Sequence, residues 1–175
     1  CGTQLSRARK PANFLTRDIA TEAIYDVWGR VIATGYREGN LTPQNWACAT
    51  YDSRGRVTKV SVPPANAPAG SSPERTIETN HNDPLTTVVT EKNATGTVTS
   101  TNTATTDLLG RTTTYSHTVP GATATTVLAT ITTTTVYDTA SRPTSSTTNS
   151  SAGGTSTLTA AYLPDGRSAS ISLGS

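Results

Sequence analysis

YDVWGR, Tyr25 to Arg30, returns as YDSRGR, Tyr51 to Arg56. The pattern then recurs in worn form. HNDPLTT (81–87) keeps only Asp83, whereas TDLLGR (106–111) keeps Asp107, Gly110 and Arg111. YDTASR keeps Tyr137, Asp138 and Arg142 but has Ser141 for glycine, and YLPDGR keeps Tyr162, Gly166 and Arg167 with its acid moved to Asp165. The aspartates at 26, 52, 83, 107 and 138 are separated by 26, 31, 24 and 31 residues. Loose but persistent spacing of this kind is the mark of stacked supersecondary units. The sequence therefore reads as about six related units, three of them degraded.

Each unit has a mechanical reading. Asp at the first position and Gly at the fourth suit a type I β-turn, with Gly free to take a positive φ. The aspartate carboxylate can also accept from the backbone two residues on, closing the turn locally. D-x-x-G thus predicts a hairpin, with Tyr and Arg at the facing ends of its two strands. There the guanidinium can stack over a Tyr ring or pair with a carboxylate of a neighbouring unit.

The flanks agree. TEAIYD, NWACATYD, TITTTTVYD and TLTAAYLPD precede the turns, and GRVIATGY, GRVTKVSVP and GRTTTYSHTVP follow them. These are short β-branched runs with partial two-residue alternation, bounded by Gly, Pro and Asn. In GRTTTYSHTVP, Arg111, Thr113, Tyr115, His117 and Val119 share one face, and Thr112, Thr114, Ser116 and Thr118 share the other. Such strands suit a thin sheet wetted on at least one side and completed by its neighbours. PPANAPAGSSPE (63–74) predicts a loop or flexible spacer, while 90–106 and 147–157 predict strand and loop.

Composition points the same way. Hydrophobic residues are 33% of the 175 and aromatics 5%, so a thick core is not expected. Threonine, about a fifth of the chain, fits a pleated surface better than a helix. A net charge of +2, without clustered Lys and Arg, gives no footprint for nucleic acid. No run is long and apolar enough for a membrane helix, and no export signal is visible. The absence of Met and a cysteine at position 1 lead us to expect a piece of a longer chain rather than a lipid-modified start. Cys1 and Cys48 are the only thiols, and no zinc spacing occurs.

Tyr-Asp-x-x-Gly-Arg at such intervals, between β-branched runs, resembles the YD repeat of the RHS family, which includes bacterial RHS toxins, the C components of Tc insecticidal toxins and teneurins. The resemblance runs from Tyr25 to the C-terminus, after a lead-in of strand and loop over 1–24. Its motif residues are Tyr25, Asp26, Gly29, Arg30, Tyr51, Asp52, Gly55, Arg56, Asp83, Asp107, Gly110, Arg111, Tyr137, Asp138, Arg142, Tyr162, Gly166 and Arg167. It implies an all-β fold of repeated hairpins in a curved spiral sheet, part of a hollow shell that encloses or presents a C-terminal effector. Partners would be further YD repeats of the same parent chain and that effector, at a secreted or cell-surface location, without cofactor or membrane insertion. Family shells also carry Asp-Pro-x-Gly self-cleavage motifs. The one Asp-Pro here, at Asp83-Pro84, has Thr86 where the glycine belongs, so that activity is not carried over.

The chemical alternatives are thin. Repeated turn geometry accounts for the aspartates, and Arg–Tyr pairing between units accounts for the arginines. A triad of Ser116, His117 and Asp107 fails because adjacent strand residues point to opposite faces. His81, Asn82 and Asp83 are neighbours in a turn, which seldom supplies three ligands to one cation. No metal, phosphate-loop or nucleophile-elbow motif is present. The expected function is therefore structural and non-catalytic. The alternative is a surface adhesion or carbohydrate-binding module using Trp28 and Trp46 on glycans. Asn40, Asn93 and Asn149 head glycosylation acceptor triplets that matter only in a glycosylating host.

Overall fold

The computed structural model describes residues 6–9, 19–38, 46–64, 73–81, 83–120 and 127–174. These residues form thirteen β-strands and no helix. They are β1 (Ser6–Arg9), β2 (Ile19–Tyr25), β3 (Val31–Glu38), β4 (Trp46–Tyr51), β5 (Val57–Val62), β6 (Arg75–Asn80) and β7 (Thr86–Asn93). Then come β8 (Val98–Thr106), β9 (Thr112–Pro120), β10 (Val127–Tyr137), β11 (Pro143–Ser150), β12 (Thr155–Tyr162) and β13 (Ser168–Gly174). The chain divides into two compact units, Cys1–Thr79 with Glu91–Thr97, and Asn80–Thr90 with Val98–Ser175.

In each unit sequence neighbours are also hydrogen-bonded neighbours, so the sheet is built hairpin by hairpin. The first unit runs β1 to β6 and the second β8 to β13, each strand antiparallel to its neighbours within the unit. The 90–106 stretch is the end of β7, a turn and β8; the 147–157 stretch is the end of β11, a turn and β12. Of the 63–74 spacer only its ends are described: β5 stops at Val62, and Glu74 N donates to Val62 O at 2.9 Å.

Burial is sparse, as a thin sheet requires. Among the described residues the buried hydrophobics are Ile24, Ala33 and Ala129. Ile24 and Ala33 are register partners on β2 and β3, and the buried Glu22 lies opposite Gly35 two residues along. In the second unit the register lines up hydroxyl residues from strand to strand. Thr105, Thr114, Thr134, Thr147 and Thr157 share one face, alongside Thr103, Ser116, Thr132, Asn149 and Thr155. Threonines also bond across strands: Thr147 to Thr157 at 3.1 Å, and Thr133 to Thr148 on the other face at 3.0 Å. Each cross-strand pair of this kind contributes roughly 0.2–1 kcal/mol. Many small polar pairs thus hold what a core holds elsewhere.

One irregularity recurs. At every hairpin that closes on a motif arginine the register slips by one residue just beyond the turn: Tyr25 faces Val31 but Ile24 faces Ala33, and the same slip follows Tyr51, Thr106, Tyr137 and Tyr162. The extra residues are Ile32, Thr58, Thr113, Thr144 and Ala169. A bulge at each turn adds twist and re-aims the side chains at that edge. Thr113 Oγ1 donates to Thr105 O at 3.2 Å, and Thr144 Oγ1 to Val136 O at 3.3 Å, so these bulged threonines bind back across their own hairpins.

Candidate functional site

The recurrent feature is the turn edge of each sheet. In the first hairpin Asp26 N donates to Arg30 O at 2.9 Å and Gly29 N to Asp26 O at 3.1 Å. This is a type I turn followed by a residue at positive φ, the common three-residue hairpin loop. Gly29 has φ 77°. The Asp26 side chain does the rest. Its Oδ1 accepts from Trp28 N at 3.0 Å and Arg30 N at 2.9 Å, and its Oδ2 from Arg30 Nε at 2.6 Å.

The same five bonds, to within 0.2 Å, recur around Asp52, Asp107 and Asp138. Ser141 takes the glycine position at φ 64°, a conformation that is costly for a residue with a Cβ. In the last unit Leu163 replaces the aspartate in the backbone pair. Asp165 still receives Arg167 Nε at 2.7 Å and Arg167 N at 3.1 Å. The displaced acid keeps the arginine.

Three of these arginines then reach the next repeat. The Arg30 guanidinium lies 4.6 Å from the Tyr51 ring centroid, Arg111 4.8 Å from Tyr137, and Arg142 4.5 Å from Tyr162. Each tyrosine answers with its hydroxyl, donating to the carbonyl one residue past that arginine: Val31 at 2.7 Å, Thr112 at 2.9 Å and Pro143 at 2.8 Å. Arg111 Nη1 also donates to Asp138 O at 3.4 Å and to Ser141 Oγ at 3.1 Å. Of the two partners the sequence offered the arginines, a Tyr ring or a neighbouring unit's carboxylate, the ring is the one that crosses between repeats, and the carboxylate that pairs with each arginine belongs to its own repeat. The reason is reach: four residues across one tight turn hold Nε against Oδ2, which leaves the guanidinium face for the neighbour's ring. Aspartate, arginine and the following tyrosine therefore form a ladder, 26–30–51 in the first unit and 107–111–137 with 138–142–162 in the second.

Electrostatics follow the bonds. Desolvation works to raise the Asp26 carboxyl, but the Arg30 amide, the Arg30 guanidinium and the Trp28 amide outweigh it and hold its pKa below the ordinary value. Asp52 and Asp138 are lowered chiefly by the backbone amides of Arg56 and Arg142, and Asp107 chiefly by the Arg111 side chain. These are carboxylates committed to the ionised, acceptor state, the reverse of what a general acid needs.

Other expected sites are placed as follows. Asp83 starts a weaker turn: its Oδ1 accepts from Leu85 N at 2.8 Å and its O from Thr86 N at 3.4 Å. Asn82 lies outside the described residues. Ser116 and His117 point to opposite faces, and the His117 ring stands 5.8 Å from that of Tyr115. Trp28 is 76% exposed at a turn tip, with the Arg30 guanidinium 4.8 Å from its ring. Trp46 opens β4 and faces Gly35, at the far end of the strand from Tyr51 and the turn edge, so the two indoles do not form one platform. Cys48, on β4, is disulfide-bonded. Cys1 and the Asn40–Thr42 triplet lie outside the described residues.

Two hairpins escaped the motif. At β7–β8, Asn93 takes the aspartate role: Gly96 N donates to Asn93 O, while Asn93 Oδ1 accepts from Thr95 N, Thr97 N and Thr95 Oγ1. At β11–β12, Ser150 does so more weakly, with Gly153 N donating to Ser150 O and Ala152 N to Ser150 Oγ. The signals were Asn93-x-x-Gly96 and Ser150-x-x-Gly153, the same spacing without Tyr or Arg. Also unforeseen is a charged row across β5, β6 and β7, in which Glu78 pairs with both Lys59 and Lys92 and Arg75 pairs with Glu91.

No family model and no curated protein matches the sequence. Among solved structures the chain is similar to one described as the crystal structure of TcdB2-TccC3-TEV, at 16% identity and a TM-score of 0.39, over 82% of this chain and 9% of that one.

Proposed function

We propose that this chain is a non-catalytic wall segment of an RHS-like protein, one stretch of a YD-repeat shell that encloses or presents an effector borne elsewhere in the parent chain. The observation that carries the reading is the ladder. Five Asp–Arg pairs are closed within their repeats, and in three of them, at Arg30, Arg111 and Arg142, the arginine's free face is spent on the tyrosine of the next repeat. That arrangement transmits register from hairpin to hairpin and occupies the polar groups that could otherwise do chemistry. It is what a wall requires and what an active site avoids. In this reading the segment is secreted or displayed at a surface, takes no cofactor, and has further YD repeats and an enclosed effector domain as its partners.

The test is to sequence the reading frame around the segment, express the whole product and image it by electron cryomicroscopy. Flanking YD repeats and a hollow particle whose wall includes β2 to β13 are the expected result. A particle without a cavity, or flanks without repeats, would overturn the reading.

A further inference from the structure

The hydroxyl rows of the second unit form a lattice. Five threonines, from Thr105 on β8 to Thr157 on β12, stand in one row across five strands. A second row, from Thr103 to Thr155, runs beside it, and Ser145, Thr159 and Ser172 make a third over β11 to β13. Strand geometry fixes the repeat both ways: neighbouring strands lie about 4.8 Å apart, and same-face residues along one strand about 6.7 Å apart. The register shifts of β8 to β12 fall beyond the ends of the first two rows, so the lattice is unbroken within them.

The side chains in these rows are short and nearly of one length, so the surface is level as well as periodic. The opposite face of the same strands is not, for Tyr115, His117, Ile131 and Leu158 lie there. On the hydroxyl face Thr134, Asn149 and Thr155 are exposed. Adjacent strands ordinarily turn by about 20–25° relative to one another, which would fan the rows apart, and ladders of side chains are what hold a sheet flat. Such bonds tie this face together: Thr147 to Thr157 at 3.1 Å, Thr155 Oγ1 to Asn149 Oδ1 at 2.7 Å, and Thr159 to Ser172 at 2.6 Å. A hydroxyl has one hydrogen to give and two lone pairs, so each bonded threonine keeps capacity toward solvent.

Charge complementarity selects the occupant. The rows hold no ionised side chain and no ring, which gives no purchase to a polyanion, a polycation or an aromatic-seeking partner. What fits is a neutral surface of hydrogen-bonding oxygens with the same two-dimensional repeat. Ice is such a surface: the oxygens of its prism faces repeat at nearly the strand spacing in one direction and nearly the two-residue rise in the other. Threonine brings both a hydroxyl for an oxygen position and a methyl that orders the water beside it.

We propose that the threonine face of β8 to β12 is an ice-binding surface, whose hydroxyls take lattice positions on a growing prism face. Ice binding is independent of the wall reading and needs only that this face meet solvent.

The intact 175-residue chain is set before a slowly advancing ice front, its partition between ice and liquid is measured, and coarsening of ice crystals in a sucrose film is followed by microscopy. Enrichment in the ice and arrested coarsening are the expected results. Thr134→Lys plants a long cation in the middle of the first row and should remove both effects. Ser156→Lys, on the opposite face, should leave both unchanged. Where Thr134→Lys unsettles the sheet, as circular dichroism reads it, Thr155→Lys at the exposed end of the second row repeats the test beside a turn. Exclusion of the unaltered chain from ice would overturn the proposal, as would equal behaviour of the lysines on the two faces. Retention on insoluble chitin with exclusion from ice would assign the face to a neutral polysaccharide instead and overturn it too.

Discussion

The guanidinium of Arg142 is fixed from two sides: its Nε donates to Asp138 Oδ2 at 2.8 Å within its own hairpin, and its face lies 4.5 Å from the ring centroid of Tyr162 in the next. One side chain thus closes a turn and couples two repeats. The same double use recurs at Arg30 and Arg111, so the consequences of breaking it can be stated generally.

Arg142→Lys should destabilise the second unit by about 1–2 kcal/mol, because lysine can neither keep the Nε bond nor stack a planar face on Tyr162. Arg54→Ala, at an exposed turn tip, should stay within about 0.5 kcal/mol. Urea melts of the two variants check the contrast. Equal effects would mean that the ladder contributes nothing beyond the strands.

Tyr137→Phe removes only the hydroxyl that donates to Thr112 O at 2.9 Å. A cost of about 1 kcal/mol is expected, with the stack over Arg111 retained. Tyr137→Ala loses both and should cost more than twice as much. The ordering of midpoints, wild type above Phe above Ala, is the readout.

Ser141 occupies a position where the other four motif-arginine turns have glycine, at φ 64°. Ser141→Gly should relieve strain of roughly 1 kcal/mol. It also forfeits the exposed bond from Arg111 Nη1 to Ser141 Oγ at 3.1 Å, so a gain of about half that is expected. A lower melting temperature in the variant would show that the inter-repeat bond outweighs the backbone strain.

Acid should loosen the turns. Asp26, Asp52, Asp107, Asp138 and Glu78 all have folded pKa values below their ordinary ones, 3.8 for Asp and 4.5 for Glu. Near those values the unfolded chain binds more protons than the folded one, so stability rises with pH there. The contribution is full above about pH 5 and disappears as pH falls through the depressed folded values. Melting temperatures should be level from pH 7 to 5 and decline below pH 4. Asp107→Asn should flatten part of that decline while lowering the plateau.

Asn93→Ala should cost about 1–2 kcal/mol, because Asn93 Oδ1 alone receives the Thr95 and Thr97 amides. Asn93→Asp should be tolerated. Far-ultraviolet circular dichroism melts distinguish the two.

The hairpins were legible because their causes are local. Asp, Gly and Arg at fixed offsets close a turn with bonds that span four residues, and β-branched flanks supply the strands; nothing distant is required. Asn93 and Ser150 were less legible because their turns lack the motif's Tyr and Arg and keep only the acceptor and glycine spacing that the turn physically needs. Pairing of arginine with tyrosine between repeats was legible, but the carbonyls that receive the hydroxyls of Tyr51, Tyr137 and Tyr162 were not. Whether an arginine pairs with its own repeat's acid or a neighbour's depends on strand register, and register depends on the one-residue slip that every motif-arginine turn carries. No single residue type marks that slip, since isoleucine, threonine and alanine all fill it. By itself, then, the sequence determined an all-β chain of repeated hairpins. Only the tertiary structure decided which side chain meets which across them, because those contacts are set by the stagger between strands some twenty to thirty residues apart, where no local rule reaches.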